Sequence, residues 1–273
     1  MVLLNYLSQI YFPKSLGVIT DEWDLKIAPD GYAFSIWGLI YSLLGIFMIY
    51  QALPADWVPD RNDTFIFDEL SWHFAANMII NGLWLCLFMT DTTWGFALGL
   101  LDIIAMLTSN IWVMLKATST QLNLVETLSL RGGFTVYAGW VTAATILNAS
   151  FLLKRLGLAD PNIPWGLDEE KMTQLVVWIA LIIYNLCAYS VRNPLYGSIY
   201  IWVTVAIKSK LEKIHPDLKN LINDLSTITD IHTLSMVVLW SLLSAEQIYD
   251  LVPPSWWNTG LFYGLDSDNL KMW

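Results

Sequence analysis

Seven apolar runs, most of them about 20 residues long, constrain this chain more than any other feature of its sequence. A bilayer core about 30 Å thick is crossed by a helix of about 20 mostly apolar residues, and polar breaks separate the runs. The predicted spans are 31–53, 70–90, 94–116, 134–154, 172–192, 195–211 and 231–252. The sequence therefore predicts an all-α fold, a polytopic transmembrane helical bundle of about seven spans.

The run 195–211 is the weakest of the seven, because its apolar stretch ends near Ile207 and is short for a full span. A tilted helix, a locally thinned bilayer or a re-entrant element would each accommodate it. The predicted division of the chain is an interfacial N-terminal segment (1–30), a four-helix unit (31–154) and three additional helices with a C-terminal tail (155–273).

The composition agrees with a membrane protein. Hydrophobic residues make up 56% of the 273 residues and charged residues only 14%, with a mean hydropathy of +0.50, which leaves too few charges to cover a soluble globule. The net charge of −10 comes from acids that cluster in short stretches between the runs. These stretches are typical of solvated loops and argue against a nucleic-acid partner.

Polar, aromatic and small residues recur at three- and four-residue steps in four of the runs, so each set shares one helix face. Such a face has two interpretations: a seam where helices pack closely and amides bond across the interface, or one wall of a ligand cavity. The two are equally consistent with the set as a whole. The faces are Phe34, Trp37 or Gly38, Tyr41 and Gly45; Asn77, Asn81, Trp84 and Phe88; Gly95, Gly99, Asp102, Met106 and Ser109; and Tyr137, Trp140, Ala144 and Asn148.

Asp102 is the acid nearest the middle of a predicted span. A carboxylate at that depth costs about 2.5–3.5 kcal/mol on insertion scales, so it must be protonated, paired or hydrated. One interpretation is a neutral acid that donates a hydrogen bond to Asn77, Asn81 or a neighbouring carbonyl. The other is a functional acid that marks a cavity or a proton relay.

Three motifs in order carry a resemblance to a known family. The segment 31–41, Gly-Tyr-Ala-Phe-Ser-Ile-Trp-Gly-Leu-Ile-Tyr, is similar to the aromatic helix start of the TspO/MBR family, the tryptophan-rich sensory or translocator proteins. Residues 81–88 resemble its Asn-x-x-Trp helix, and residues 137–148 resemble its last helix. The resemblance covers roughly 27–153, and it indicates an extended form that lacks the usual first helix, the helix that packs beside the ligand pocket in this family.

The resemblance implies a helical bundle with a pocket for a hydrophobic or tetrapyrrole ligand, used in transport or sensing, with a tetrapyrrole, a sterol or a lipid as the bound molecule. The alternative is a structural accessory subunit of a larger membrane complex, such as a mitochondrial respiratory complex, with a degenerate pocket. Partners under either hypothesis are membrane lipids, a hydrophobic ligand, other membrane subunits or a second copy of the chain. Carried over by position, the implied ligand-binding residues are Trp37, Asn81, Trp84, Trp140, Ala144 and Asn148.

The sequence shows no nucleophile–base pair and no cluster with metal-ligand spacing, so we expect no catalytic residue and no metal site. A non-enzymatic role is favoured, with an enzyme as the third hypothesis. The N-terminal stretch has neither the features of a secretory signal nor the Arg-rich character of a transit peptide. It therefore indicates an integral membrane protein without specifying an organelle. For a eukaryotic source a mitochondrial membrane is favoured.

Overall fold

The structure is a computed structural model that describes residues 11, 12, 14, 16–158 and 168–251. Within these residues it contains eight α-helices of eight residues or more and no strand, which confirms the predicted all-α bundle. The helices are α1 (Leu16–Trp23), α2 (Ile36–Ala52), α3 (Ser71–Phe88), α4 (Thr93–Ser119), α5 (Gly133–Arg155), α6 (Glu169–Ser190), α7 (Pro194–Ile214) and α8 (Lys219–Leu251).

Six helical stretches of the described residues are long and apolar enough to cross a membrane. Short 3₁₀ or π turns extend three of the helices at their N-terminal ends, so the stretches are longer than the α-helices alone. They are Gly31–Ala52, Thr64–Phe88, Thr93–Ser119, Leu124–Arg155, Glu169–Ser190 and Lys219–Glu246. The chain is therefore an integral membrane protein with one span fewer, by this measure, than the seven predicted.

The helix outside these six is α7, which corresponds to the weak run 195–211. It is a regular helix of 21 residues, and its last turns carry Lys208, Lys210, Glu212 and Lys213. About half of its residues are buried against α5, α6 and α8. A helix surrounded by protein needs fewer lipid-facing apolar residues, which explains why its hydropathy is low although its length is regular.

Side-chain caps fix where several helices begin. Thr92, Asp168 and Asn193 each accept a hydrogen bond from the backbone N–H three residues later, at the starts of α4, α6 and α7. Before α5, Asn123 and Glu126 form a reciprocal capping box, and the buried carboxylate of Glu126 also accepts from the backbone N–H of Asn62 at 2.8 Å. These local signals place the turns outside the apolar spans.

Helix α8 begins 12 residues before the predicted span, at Lys219 rather than at 231. Its first turns are polar in composition, but Leu221, Leu225 and Ile228 are fully buried at four- and three-residue steps. The side chain of Gln174 on α6 donates to Asp224 at 2.9 Å. A mostly polar segment with one narrow apolar stripe is thus helical through packing, which a window of average hydropathy does not detect.

The helices pack as two groups that share an interface. Helices α2 to α5 contact one another, with the closest packing between α4 and α5 and between α3 and α4, and α6, α7 and α8 form the second group. Helix α5 packs against α7 across the boundary. At Gly139 the helices approach so closely that an added Cβ would lie 2.7 Å from Ile199 and 3.0 Å from the Tyr196 carbonyl. One apolar core runs through both groups.

Candidate functional site

An apolar cavity of about 50 Å³ lies where the two helix groups meet. Helices α2, α3, α5, α6 and α7 contribute to its wall, and the segment before α2 covers one end. Its lining is aromatic and aliphatic, with no charged side chain among the described residues. The lining residues are Thr20, Ile27, Pro29, Phe34, Trp37, Trp84, Phe88, Trp140, Ala143, Ala144, Ile146, Leu147, Asn148, Phe151, Val177, Ala180, Tyr184, Tyr200, Val203 and Ile207.

Trp140 on α5 stands at the centre of the aromatic part of the wall. Its ring packs edge-on against Phe34, with ring centroids 5.6 Å apart, and against Trp37 at 6.4 Å. Only 3% of Trp140 is exposed. Edge-to-face contacts of this kind favour one ring orientation, so the indole is held in place although a void lies beside it.

The opposite wall consists of α6 and α7. Residues at three- and four-residue steps, Val177, Ala180 and Tyr184 on α6 and Tyr200, Val203 and Ile207 on α7, face the cavity. The rings of Tyr184 and Tyr200 stack with centroids 4.7 Å apart. Their hydroxyls donate to the carbonyls of Gly139 and Val177, so both phenols present carbon atoms rather than free polar atoms to the cavity.

The polar atoms of the lining differ in whether they have partners. Trp84 Nε1 donates to Asn148 Oδ1 at 3.0 Å, and Asn148 Nδ2 donates to the Ala144 carbonyl at 2.7 Å. Trp140 Nε1, in contrast, is buried without a hydrogen-bond partner. Among the fully buried polar side-chain atoms of the described lining, it is the one left unsatisfied.

A family model described as "TSPO-like protein" matches residues 1–243. The chain belongs to this family. No curated protein and no solved structure matches the chain. The family match extends well beyond the roughly 27–153 that carry the motif resemblance, so α6, α7 and most of α8 are part of what this TSPO-like protein shares with its family.

Of the six residues that the resemblance implies, five line the cavity of the TSPO-like protein: Trp37, Trp84, Trp140, Ala144 and Asn148. The structure thus brings residues from α2, α3 and α5 together at one void. Ligand binding by these residues stays a prediction. Helices α6 and α7 complete the wall, and in the described residues before Gly31 the only helix of eight residues or more is the short α1.

Asn81, the sixth residue, lies outside the cavity lining. Its Nδ2 donates to the hydroxyl of the fully buried Tyr137 at 2.7 Å and lies 3.6 Å from Met106 Sδ. The Tyr41 hydroxyl donates to its Oδ1 at 3.5 Å. Because both ends of the amide are engaged between α2, α3, α4 and α5, Asn81 belongs to a packing seam, the first of the two interpretations of its face.

Asp102 forms neither of the bonds to an amide that the sequence suggested. Asn77 Nδ2 donates instead to Asn110 Oδ1 at 2.7 Å and to Ser109 Oγ at 3.0 Å, and Asn81 is engaged as described. Asp102 is partly exposed, and its Oδ2 is buried without a partner. It does not line the cavity, so the structure does not link this acid to the candidate site.

The segment from α1 to Asp30, here called the strap, covers one end of the cavity with Thr20, Ile27 and Pro29. Ion pairs hold it to α7. Lys213 bonds the Asp30 carboxylate and lowers its pKa, and the Asp30 N–H donates to the Ala206 carbonyl at 3.0 Å. Burial by itself would raise the pKa of Asp24, but bonds from Lys26 at 2.7 Å and His215 at 3.1 Å outweigh it and bring the pKa to about 2.

The strap is also bonded to the first helix group and to α6. Lys154 Nζ on α5 donates to the Trp23 carbonyl at 2.7 Å and pairs with Glu169, and Glu169 accepts from the Lys26 N–H at 3.1 Å. Asp91 accepts from Trp23 Nε1 at 3.2 Å. The strap is therefore bonded to the bundle on both sides of the cavity.

Sequence reasoning missed the α6, α7 and strap residues of the lining. A usable signal existed, because 177, 180 and 184 and 200, 203 and 207 have the same three- and four-residue spacing as the faces that were recognised. Among the residues that the structure describes, no group of three or more His, Cys, Asp or Glu is placed to hold a metal ion.

Proposed function

We propose that this TSPO-like membrane protein binds a hydrophobic ligand in the cavity between α5 and helices α6 and α7. The observation that carries the proposal is the convergence of five residues from three helices, Trp37, Trp84, Trp140, Ala144 and Asn148, on one apolar void. Bundle cores otherwise pack at crystal-like density with few voids, and concave apolar sites with few polar groups are the usual form of small-molecule sites.

Several features support a binding role over simple packing. The lining comes from both helix groups, so a ligand there contacts most of the bundle. The described lining offers no charged group and no nucleophile–base pair, which favours binding, and with it transport or sensing, over catalysis. A ligand drawn from the bilayer would exchange one apolar environment for another, so shape and the few polar atoms decide which molecule is held.

The test uses a photoreactive hydrocarbon, a long-chain alkyl diazirine, on the purified protein in lipid nanodiscs. We expect saturable labelling of peptides from α5, α6 and α7, and its loss in Val203→Trp, which places a large ring in the cavity. The matched control is Val205→Trp, two residues along α7 at a position that is 44% exposed, where labelling is expected to persist.

Protoporphyrin added as a competitor determines whether the ligand is a tetrapyrrole, because it then displaces the probe from the cavity peptides but not from the lipid-facing ones. Labelling that never saturates, or that is unchanged in Val203→Trp, would contradict the proposal. That result, together with co-purification in a large assembly, would favour the accessory-subunit hypothesis.

A further inference from the structure

Among the fully buried polar side-chain atoms of the described lining, a single donor is left without a partner. Trp84 and Asn148 satisfy each other, Asn148 also bonds its own helix, and the hydroxyls of Tyr184 and Tyr200 bond backbone carbonyls. Trp140 Nε1 is buried and has no acceptor. An indole N–H can only donate, so the group that completes this site must be a hydrogen-bond acceptor.

A buried donor without an acceptor is destabilising, and most native structures avoid one. In Trp140 the indole is fixed by Phe34 and Trp37 and is 3% exposed, so it cannot turn to reach water without leaving its ring contacts. Trp140, the residue that carries the unpaired donor, also lines the void. The arrangement is that of a site whose missing partner is supplied by a ligand.

The charge of the ligand follows from the lining. No Lys, Arg or His is among the described lining residues, and the nearby cations at the strap, Lys26, Lys154 and Lys213, are each paired with a carboxylate of the protein. A carboxylate placed beside Trp140 would lose its hydration and gain no cation in return. The acceptor is therefore expected to be uncharged.

The shape of the ligand follows from the volume. The cavity measures about 50 Å³, against roughly 150 Å³ for an engineered cavity that holds benzene. A slender aliphatic segment fits such a space with small side-chain movements, whereas a broad ring system requires the α5–α7 interface to open. Close packing at Gly139 opposes that opening.

We propose that the cavity takes a neutral, slender aliphatic ligand that carries one hydrogen-bond acceptor, such as the carbonyl of a long-chain ketone or ester, and that Trp140 Nε1 donates to this acceptor. The inference rests on the proposed function, since it names the ligand class for the same cavity. It makes Trp140 the specificity-determining residue of the site.

The experiment measures equilibrium binding to the full chain in lipid nanodiscs, with empty nanodiscs to subtract partition into lipid. Three probes of equal chain length are compared: a methyl ketone, the alkane and the fatty-acid anion. We expect the ketone to bind most tightly. Trp140→Phe replaces the indole with a smaller phenyl ring that has no N–H, and it is expected to weaken ketone binding about tenfold relative to alkane binding, the loss of one hydrogen bond.

The matched control is Trp112→Phe, an α4 tryptophan that stacks on His73 and lies outside the lining. It is expected to leave all three affinities unchanged. Equal loss of ketone and alkane binding in Trp140→Phe, or a fatty-acid anion that binds as tightly as the ketone, would overturn this inference and leave the proposed function standing. Absence of saturable binding for all three probes would overturn both.

Discussion

Two buried polar sites of this protein show opposite arrangements. In the His232 cluster, formed by Asn185 on α6, Gly197 on α7, and His232 and Ser235 on α8, the polar atoms satisfy one another. His232 Nε2 donates to the Gly197 carbonyl at 2.8 Å, Asn185 Nδ2 donates to His232 Nδ1 at 3.0 Å, and Ser235 donates to Asn185 Oδ1. At the cavity, Trp140 Nε1 has no partner and a void lies beside it.

The difference separates the two interpretations that a polar stripe in a membrane helix allows. Polar side chains that hydrogen-bond one another and line no cavity, as at His232 and Asn81, indicate a seam that holds helices together. A fixed donor beside a void, as at Trp140, indicates a place for another molecule. In this protein the polar and aromatic residues show both arrangements, at different residues.

The largest effect is expected from His232→Ala, which tests whether the His232 cluster is structural. The substitution removes the hydrogen bond to the Gly197 carbonyl and the hydrogen bond from the Asn185 amide, and it opens a void, at a cost of about 2 kcal/mol in the free energy of unfolding. SDS-induced unfolding in mixed micelles measures it. The neighbouring Thr233→Ala, at an exposed position on α8, is the control and should change the stability little. A change as small as that of the control would show that the cluster does not stabilise the bundle.

A pair of equal substitutions on α6 compares the packing of the two regions directly. Ala180 lines the cavity, and Ala188 lies close to Gly197 with no exposed surface. We expect Ala188→Val to cost about 1 kcal/mol or more through overpacking, and Ala180→Val to cost less, because its methyl groups enter the void. The same unfolding assay measures both. Equal costs would show that the cavity is as tightly packed as the seam.

Two tryptophans of the lining offer a smaller contrast. Trp84→Phe removes the hydrogen bond to Asn148, whose expected worth in a membrane bundle is about 0.6 kcal/mol. Trp140→Phe loses the same ring volume but removes a donor that has no partner, so its cost in the ligand-free protein is expected to be lower than that of Trp84→Phe by about the worth of that bond. A greater loss for Trp140→Phe than for Trp84→Phe would mean that the indole N–H is already satisfied within the protein.

The smallest effect concerns the strap, which covers the cavity but not the His232 cluster. Asp30→Asn weakens the contact with Lys213, a side chain that is 64% exposed, so a cost below about 0.5 kcal/mol is expected. Hydrogen exchange should become faster in residues 24–30 and stay unchanged in α8 around His232. Equal changes in both places would show that the strap and the cluster are not independent.

The same loosening is expected in the unaltered protein at low pH. The folded-state pKa values of Asp24 and Asp30 are lower than the ordinary value of 3.8. The stabilisation that their ion pairs give to the strap is therefore complete above pH 3.8 and is lost as the pH falls, for Asp24 through about 2. Protection factors in residues 24–30, corrected for the intrinsic exchange rate at each pH, that do not fall between pH 5 and pH 2 would contradict the proposed ionic attachment.

Much of the fold was predictable because the bilayer imposes a strong pattern. Apolar runs of span length identified α2 to α6 and the membrane part of α8, and the motif resemblance implied one site that includes Trp37, Trp84, Trp140, Ala144 and Asn148. These features depend on local sequence alone. The helical but polar start of α8 depends on packing by Leu221, Leu225 and Ile228, and average hydropathy does not detect it.

The rest of the site could not be predicted, because it depends on how the two helix groups pack. Spacing along α6 and α7 shows which of their residues share a face, but no local pattern indicates that these faces pack against α5. Val203 and Tyr184 were therefore not recognised as lining residues. Asn81 and Asn148 are the same residue type, and each lies on a polar stripe of its helix. Only the placement of Tyr137 and Trp84 shows that the first belongs to a seam and the second to the cavity wall.

Xenon binding in crystals of the protein would test most directly whether the cavity is open space and the His232 cluster is not, since xenon enters apolar voids without needing polar partners. The account predicts a xenon atom between Trp140 on α5 and Val203 on α7, and none among His232, Asn185 and Gly197. Xenon confined to lipid-facing surfaces, with α5 and α7 closed on each other at Trp140, would contradict it.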